Sequence, residues 1–249
     1  MEGRGRKPFA FQLETWEHIA KGKSGLVNAP TGCGKTYSVF LGALISFINA
    51  HPDSWQTRKK NKLRLLWVSP LKALAKDIGR AMEEVLKELQ MPWQVGIRNG
   101  DTPMSERQKQ KASLPEILII TPESLHLLLS TKDHVALFEN LEVIAVDEWH
   151  ELMGSKRGVQ TELAISRIIH CNPRKQPSVW GISATIGNLE EARDVLLHPV
   201  LIQNSHSSNG MIVKATLEKD IEIIPVFPDE VETYPWAGHL GIKLAHHVL

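Results

Sequence analysis

With 249 residues, 42% of them hydrophobic and a formal net charge of +1, the chain has the material for one large α/β domain, or for one domain and part of another, and is not of disordered type. Two cysteines, Cys33 and Cys171, are too few for a disulfide framework and favour a reducing compartment. The N-terminus lacks the apolar core of a signal peptide and no stretch approaches the ~18 apolar residues of a membrane span, so a soluble, cytoplasmic protein without membrane partners is expected.

Residues 1–8 read as a tail. Phe11, Leu13, Trp16 and Ile19 then give a short helical stripe that Gln12 opens and Gly22 ends. A strand near 25–28 leads into Ala29-Pro30-Thr31-Gly32-Cys33-Gly34-Lys35-Thr36, which reads as a phosphate-binding loop. Gly32 and Gly34 let the backbone curl so that its N–H groups face inward, and the following helix adds its positive end, a setting suited to polyphosphate. Lys35 would reach the β and γ phosphates and Thr36 would place its hydroxyl on Mg²⁺. Cys33 reads as tolerated within the loop.

Tyr37 to Ile48 recur at helical spacing until Asn49 and Pro52 stop them. Residues 1–64 hold 11 Lys and Arg against 4 Asp and Glu, and much of this excess is the run Arg58 to Arg64, expected as a solvated basic loop. A strand over 63–68 follows, then an amphipathic helix from Leu71 to Leu89, a strand near 93–97, the turn Asn99-Gly100-Asp101 and a helix carrying Arg107, Lys109 and Lys111. Ile117 to Ile120 is a wholly apolar strand, and Thr121-Pro122-Glu123 starts the next helix, with Pro122 suited to its first turn. Val143 to Val146 is another apolar strand, ending in Asp147-Glu148-Trp149-His150; a helix over 157–170 and a strand near 178–182, ending in Ser183-Ala184-Thr185, come after it. A polar loop over 204–210, a proline-bearing connector over 216–235 and a helix from Trp236 close the chain.

Apolar strands without polar alternation, each followed by an amphipathic helix, predict a doubly wound, mostly parallel sheet with helices on both faces. Ligands then bind at the carboxyl ends of the strands, where each polar cluster falls. Asp147, at the end of an apolar strand, is the metal-holding partner that a phosphate loop requires, and Glu148 is placed to activate water as general base.

Taken together, the loop at 29–36, Asp147-Glu148-Trp149-His150 and Ser183-Ala184-Thr185 resemble motifs I, II and III of superfamily 2 helicases of the DExH kind, in which Ala at the loop's first position is usual. Pro70-Leu71-Lys72, Asn99-Gly100-Asp101 and Thr121-Pro122-Glu123 resemble the family's Ia, Ib and Ic elements in the same order. The run from Asp147 to Gln160 is similar to the large-helicase-related (Lhr-like) group, and Trp149 to its ligase-associated DNA helicase branch. This resemblance implies a RecA-like ATP-binding domain over 9–215, a linker over 216–235 and the start of a second motor domain at 236–249. It implies ATP and Mg²⁺ as cofactors and hydrolysis coupled to movement on single-stranded DNA, with a DNA ligase and a nuclease as partners.

By the same resemblance, Gln12 would pair with adenine. His150, Ser183 and Thr185 would couple the nucleotide to a nucleic-acid track formed by Pro70, Leu71, Lys72, Asn99, Gly100, Asp101, Thr121, Pro122 and Glu123. An RNA helicase and a nucleotide-gated nucleic-acid module remain alternatives. After Thr185 the sequence has one arginine, Arg193, outside the family's motif VI pattern, so the arginine finger of a second domain is expected to be missing.

Overall fold

The computed structural model describes residues 7–172, 176–184, 186–203 and 210–216. Most of the expected N-terminal tail, Thr185, nearly all of the polar loop over 204–210, the connector beyond Thr216 and the start of a second domain at 236–249 lie outside the described residues.

Seven short strands form one all-parallel sheet. They are β1 (Gly25–Asn28), β2 (Leu65–Val68), β3 (Val95–Arg98), β4 (Ile117–Ile120), β5 (Val143–Val146), β6 (Ser178–Ser183) and β7 (Met211–Lys214), in the spatial order β3-β4-β2-β5-β6-β1-β7. In the centre, β2, β4 and β5 are buried at every position, because a parallel sheet covered on both faces leaves no side for polar residues. On one face α3 (Lys72–Glu88) lies over Val95, Ile97 and Ile119, which close the space above its Gly79. On the other, Leu66, Val68, Leu118, Ile120, Ile144 and Val146 share one apolar core with α5 (Pro122–Leu129), α8 (Lys156–Cys171) and α9 (Leu189–Gln203).

The registers align the carboxyl ends: Asn28 lies opposite Ser183, Val146 and Ile120 opposite Val68, and Arg98 opposite Ile120. Backbone bonds one residue further on continue the row, from Ala29 N to Ser183 O, Ser69 N to Ile120 O, Thr121 N to Arg98 O and Asp147 N to Val68 O. The phosphate loop, Asp147 and the three track loops therefore emerge along one edge of the sheet.

Several sequence expectations are corrected. In α1 (Ala10–Ala20) the buried face is Phe11, Gln12, Thr15 and Ile19, and Leu13 is half exposed, since α1 presses its Gln12 and Ile19 side onto α2 (Lys35–Ala50). Leu71, just before α3, and Leu74 within it are exposed, and the buried positions of the helix are Ala75, Gly79, Met82 and Leu86. The basic run 58–64 is no simple solvated loop: Asn61 is buried, exchanging hydrogen bonds with Arg58, and Arg64 is buried against Glu142 at 2.9 Å and over the Phe47 ring. Further elements are α4 (Met104–Ala112), the short α6 (His134–Phe138) and α7 (Trp149–Leu152), and β7, of which periodicity predicted only α4.

Candidate functional site

The phosphate loop leaves β1 and enters α2 through two residues in left-handed conformation, Gly32 at φ +80° and Gly34 at φ +75°. A side chain at Gly34 would also meet the Gln12 amide nitrogen at 2.9 Å. Glycine is required there on both counts, backbone and space.

Gln12 braces the loop: its Nε2 donates to the Gly34 carbonyl at 3.0 Å and its Oε1 accepts from the Phe9 N–H at 3.0 Å. The adenine-pairing role expected of it must therefore use the amide's second hydrogen and second lone pair. Trp16 adds a second tie from α1, its Nε1 donating to the Tyr37 carbonyl at 3.1 Å. Lys35 is buried, with Nζ folded onto the carbonyl of Ala29 at 2.9 Å, so that the loop closes on its own ammonium. Thr36 is half-buried at the first turn of α2, while Thr31 is exposed and Cys33 buried.

Opposite the loop, Asp147 is 5% exposed at the end of β5. Burial, then the charge of Glu148, pushes its carboxyl up to about 6, against hydrogen bonds from Trp67 and the Glu148 N–H and the charge of Lys35. β1, which leads into the phosphate loop, and β5, which ends in Asp147, flank β6, so the loop and the strand-end carboxylate emerge from the same edge of the sheet one strand apart. A desolvated carboxylate beside a second carboxylate is a setting that a divalent cation relieves, so the donor set fits Mg²⁺ held by Asp147 and the Thr36 hydroxyl. Among the described residues no three His, Cys, Asp or Glu side chains gather as a protein-only metal cage.

Glu148 adopts φ +46°, uncommon for a non-glycine residue, and its carboxylate lies against His150. The His150 Nδ1 lies 3.2 Å from Ser183 Oγ and 3.4 Å from Glu148 Oε2, joining the end of β6 to the candidate base. Asn28 Nδ2 donates to the Ala184 carbonyl, so β1 and the segment after β6 are tied as well. Trp149 is fully buried, its Nε1 donating to the Ala192 carbonyl at 2.8 Å and fixing α9 beneath the tetrad.

The three expected track loops follow the adjacent strands β2, β4 and β3. Lys72 pairs with Asp101 at 3.1 Å. The Asn99 side chain accepts from the Asp101 N–H, and Arg107 Nη2 donates to the carbonyls of Asn99 and Gly100. Thr121 caps α5, Pro122 is its first residue, and Glu123 is held by Arg157 of α8 through two hydrogen bonds at 2.6 and 3.3 Å. Glu123 is thus occupied in bracing, and its pKa is lowered by the Arg157 hydrogen bond and charge although burial opposes this.

Sequence reasoning missed Trp67, Asn28 and Arg107 as supports. Each forms its bond across the sheet or between a helix and a turn, and only Arg107, a cation shortly after a strand-end turn, left a trace in the sequence.

Residues 9–192 match the family model described as DEAD/DEAH box helicase. The chain is 37% identical over 195 residues to the Lhr helicase/uracil glycosylase of Escherichia coli (strain K12), covering 73% of this chain and 12% of that protein. It is 33% identical over 238 residues to the ATP-dependent helicase Lhr-Core of Methanocaldococcus jannaschii, covering 92% and 27%. Among solved structures it is similar to the Mycobacterium smegmatis helicase Lhr bound to ssDNA and AMP-PNP, with TM-score 0.67 and 31% identity over 84% of this chain and 26% of that one. It thus spans 12% of the length of the first of these relatives and about a quarter of the other two.

Proposed function

The chain belongs to the DEAD/DEAH box helicase family, and we propose that it is the first motor domain of an Lhr-like helicase, binding Mg-ATP at Lys35, Thr36 and Asp147 and single-stranded DNA along the adjacent strand ends. The observation that carries this is the emergence of the phosphate loop and Asp147 from the same sheet edge on either side of β6, with Glu148 linked through His150 to Ser183 at the end of β6. Bound ATP supplies the γ-phosphoryl group that water attacks. Lys35, once released from the Ala29 carbonyl, neutralises phosphate charge; Asp147 and Thr36 would hold Mg²⁺, which would offset phosphate charge; Glu148 takes the proton of the attacking water. His150 relays the position of Glu148 to the end of β6.

DNA is favoured over RNA by the single-stranded DNA in the similar Mycobacterium smegmatis structure. Backbone N–H groups and short polar side chains at strand ends suit sequence-independent grip on phosphates, which a translocating enzyme needs. The ligase and nuclease partners stay part of the proposal on the resemblance of Trp149 alone. Within 186–249 the one arginine, Arg193, is engaged by Asp194 at 2.7 Å, so the cation for the γ phosphate is assigned to a second motor domain.

The test is a binding competition with labelled single-stranded DNA and unlabelled DNA or RNA of the same sequence, with and without a non-hydrolysable Mg-ATP analogue. Sequence-independent, salt-sensitive DNA binding is expected. Preference for RNA through its 2′-hydroxyls would reassign the substrate, and no binding of either would remove the track.

A further inference from the structure

Most arginines near the ends of these elements have a carboxylate partner: Arg64 with Glu142, Arg157 with Glu123, Arg193 with Asp194 and Arg80 with Asp77. Arg98 and Arg107 are different. Among the described residues neither has an ion-pair partner, and each keeps a buried nitrogen without an acceptor, Nη1 of Arg98 and Nε of Arg107.

The two side chains are neighbours. Arg98 is the last residue of β3 and shares a face with Gly96, where a side chain would touch Gln110 of α4; Arg107 lies one helical turn before Gln110. Burial and the positive charge of Arg107 together hold Arg98 below the usual arginine range. Lys72 and Asp101, the other charges at this turn, cancel each other at 3.1 Å. Two neighbouring guanidinium groups are therefore left, both partly open to solvent, with no carboxylate paired to either among the described residues.

Like charges held together are unfavourable in the free protein, and an anion reverses the sign of that cost. Planar guanidinium forks match phosphate oxygens in bidentate fashion and read no base. The site lies beneath the Asn99-Gly100-Asp101 turn on the edge assigned above to nucleic acid.

Resting on that assignment, we propose that Arg98 and Arg107 form a clamp for one phosphodiester of the bound strand. Arg98 makes the contact; Arg107 shares it while its Nη2 holds the carbonyls of Asn99 and Gly100 and so fixes the turn.

The experiment is fluorescence anisotropy of a fluorescein-labelled oligothymidylate on the full chain over a salt series, with Mg-ATP-analogue affinity and thermal melting measured alongside. Arg98→Gln should weaken oligonucleotide binding on the order of tenfold. It should lower the slope of log K against log salt by about 0.7, the value for one phosphate on a single strand. The nucleotide affinity should hold and the melting temperature of the free protein should stay level or rise, because an uncompensated charge has been removed. Arg98→Lys should keep the salt slope and lose part of the affinity, since the charge stays and the fork is lost.

Lys72→Glu separates this clamp from the track as a whole. If Lys72→Glu weakens binding and Arg98→Gln does not, the clamp is overturned and the track stands. If neither variant changes binding, both are overturned. An Arg98→Gln protein that melts below the parent and loses nucleotide affinity would show a structural arginine and overturn the clamp.

Discussion

Asp147→Asn should make the ligand-free protein more stable at neutral and alkaline pH while destroying its metal site. The carboxyl of Asp147 is raised from 3.8 to about 6, by burial first and by Glu148 second. The folded protein therefore keeps a proton that the unfolded chain releases between those two values. The cost of the buried carboxylate is absent below about pH 4, grows through the window and is complete above about pH 6.

Moving the carboxyl from 3.8 to about 6 costs roughly 3 kcal/mol at pH 8 and about half of that at pH 5. An amide keeps an oxygen for the Glu148 N–H, which now donates to Oδ1 at 3.0 Å, but turns a second donor toward the Trp67 Nε1, 3.4 Å from Oδ2. Losing that long hydrogen bond returns about 1 kcal/mol. The net expectation is about 2 kcal/mol at pH 8, a rise of roughly 4–8 °C in melting temperature for a domain of this size. Urea or thermal unfolding of parent and variant at pH 8 and pH 5 measures it. A variant less stable than the parent at pH 8, or a gain that does not shrink toward pH 5, would refute the reasoning.

Three further outcomes are expected. Gly34→Ala should lose about 1–2 kcal/mol through strain at φ +75° and contact with Gln12, and should weaken nucleotide binding; an unchanged melting curve and affinity would show that the loop relaxes freely. Trp149→Phe removes the donor to the Ala192 carbonyl and leaves part of the space of a fully buried indole empty, and denaturation should show a loss of roughly 2–3 kcal/mol. The chain alone should turn ATP over slowly, arginine fingers being worth roughly 10³ to 10⁵ in rate, and Glu148→Gln should abolish the residue of activity with nucleotide binding largely intact. Steady-state hydrolysis with and without single-stranded DNA, as a monomer and beside a two-domain protein, checks this; brisk DNA-stimulated turnover by the monomer would contradict it.

The fold was legible because its central strands β2, β4 and β5 are apolar throughout; runs such as Ile117 to Ile120 point to a covered parallel sheet. The site was legible where one short segment carries the chemistry, as at Lys35-Thr36 and Asp147-Glu148. Periodicity failed where burial depends on a neighbour: Leu13, Leu71 and Leu74 fit their helical stripes yet stay exposed, while Gln12 and Thr15 are buried against α2. Supports formed across the sheet, such as Trp67 on Asp147, join residues 80 positions apart and have no signature in sequence. The buried Arg64 was hidden by its neighbours, since four nearby cations made one solvated run the natural reading.

The central claim is that the loop at 29–36 and Asp147 form one Mg-nucleotide site. Titration of a fluorescent ATP analogue into the chain, with Mg²⁺ and with chelator, on the parent and on Lys35→Ala, tests it most directly. Saturable, Mg-dependent binding by the parent that weakens at least tenfold in Lys35→Ala is predicted, in line with loss of a charge-assisted contact of roughly 1.5–3 kcal/mol; equal binding by both proteins, or binding indifferent to Mg²⁺, would contradict it.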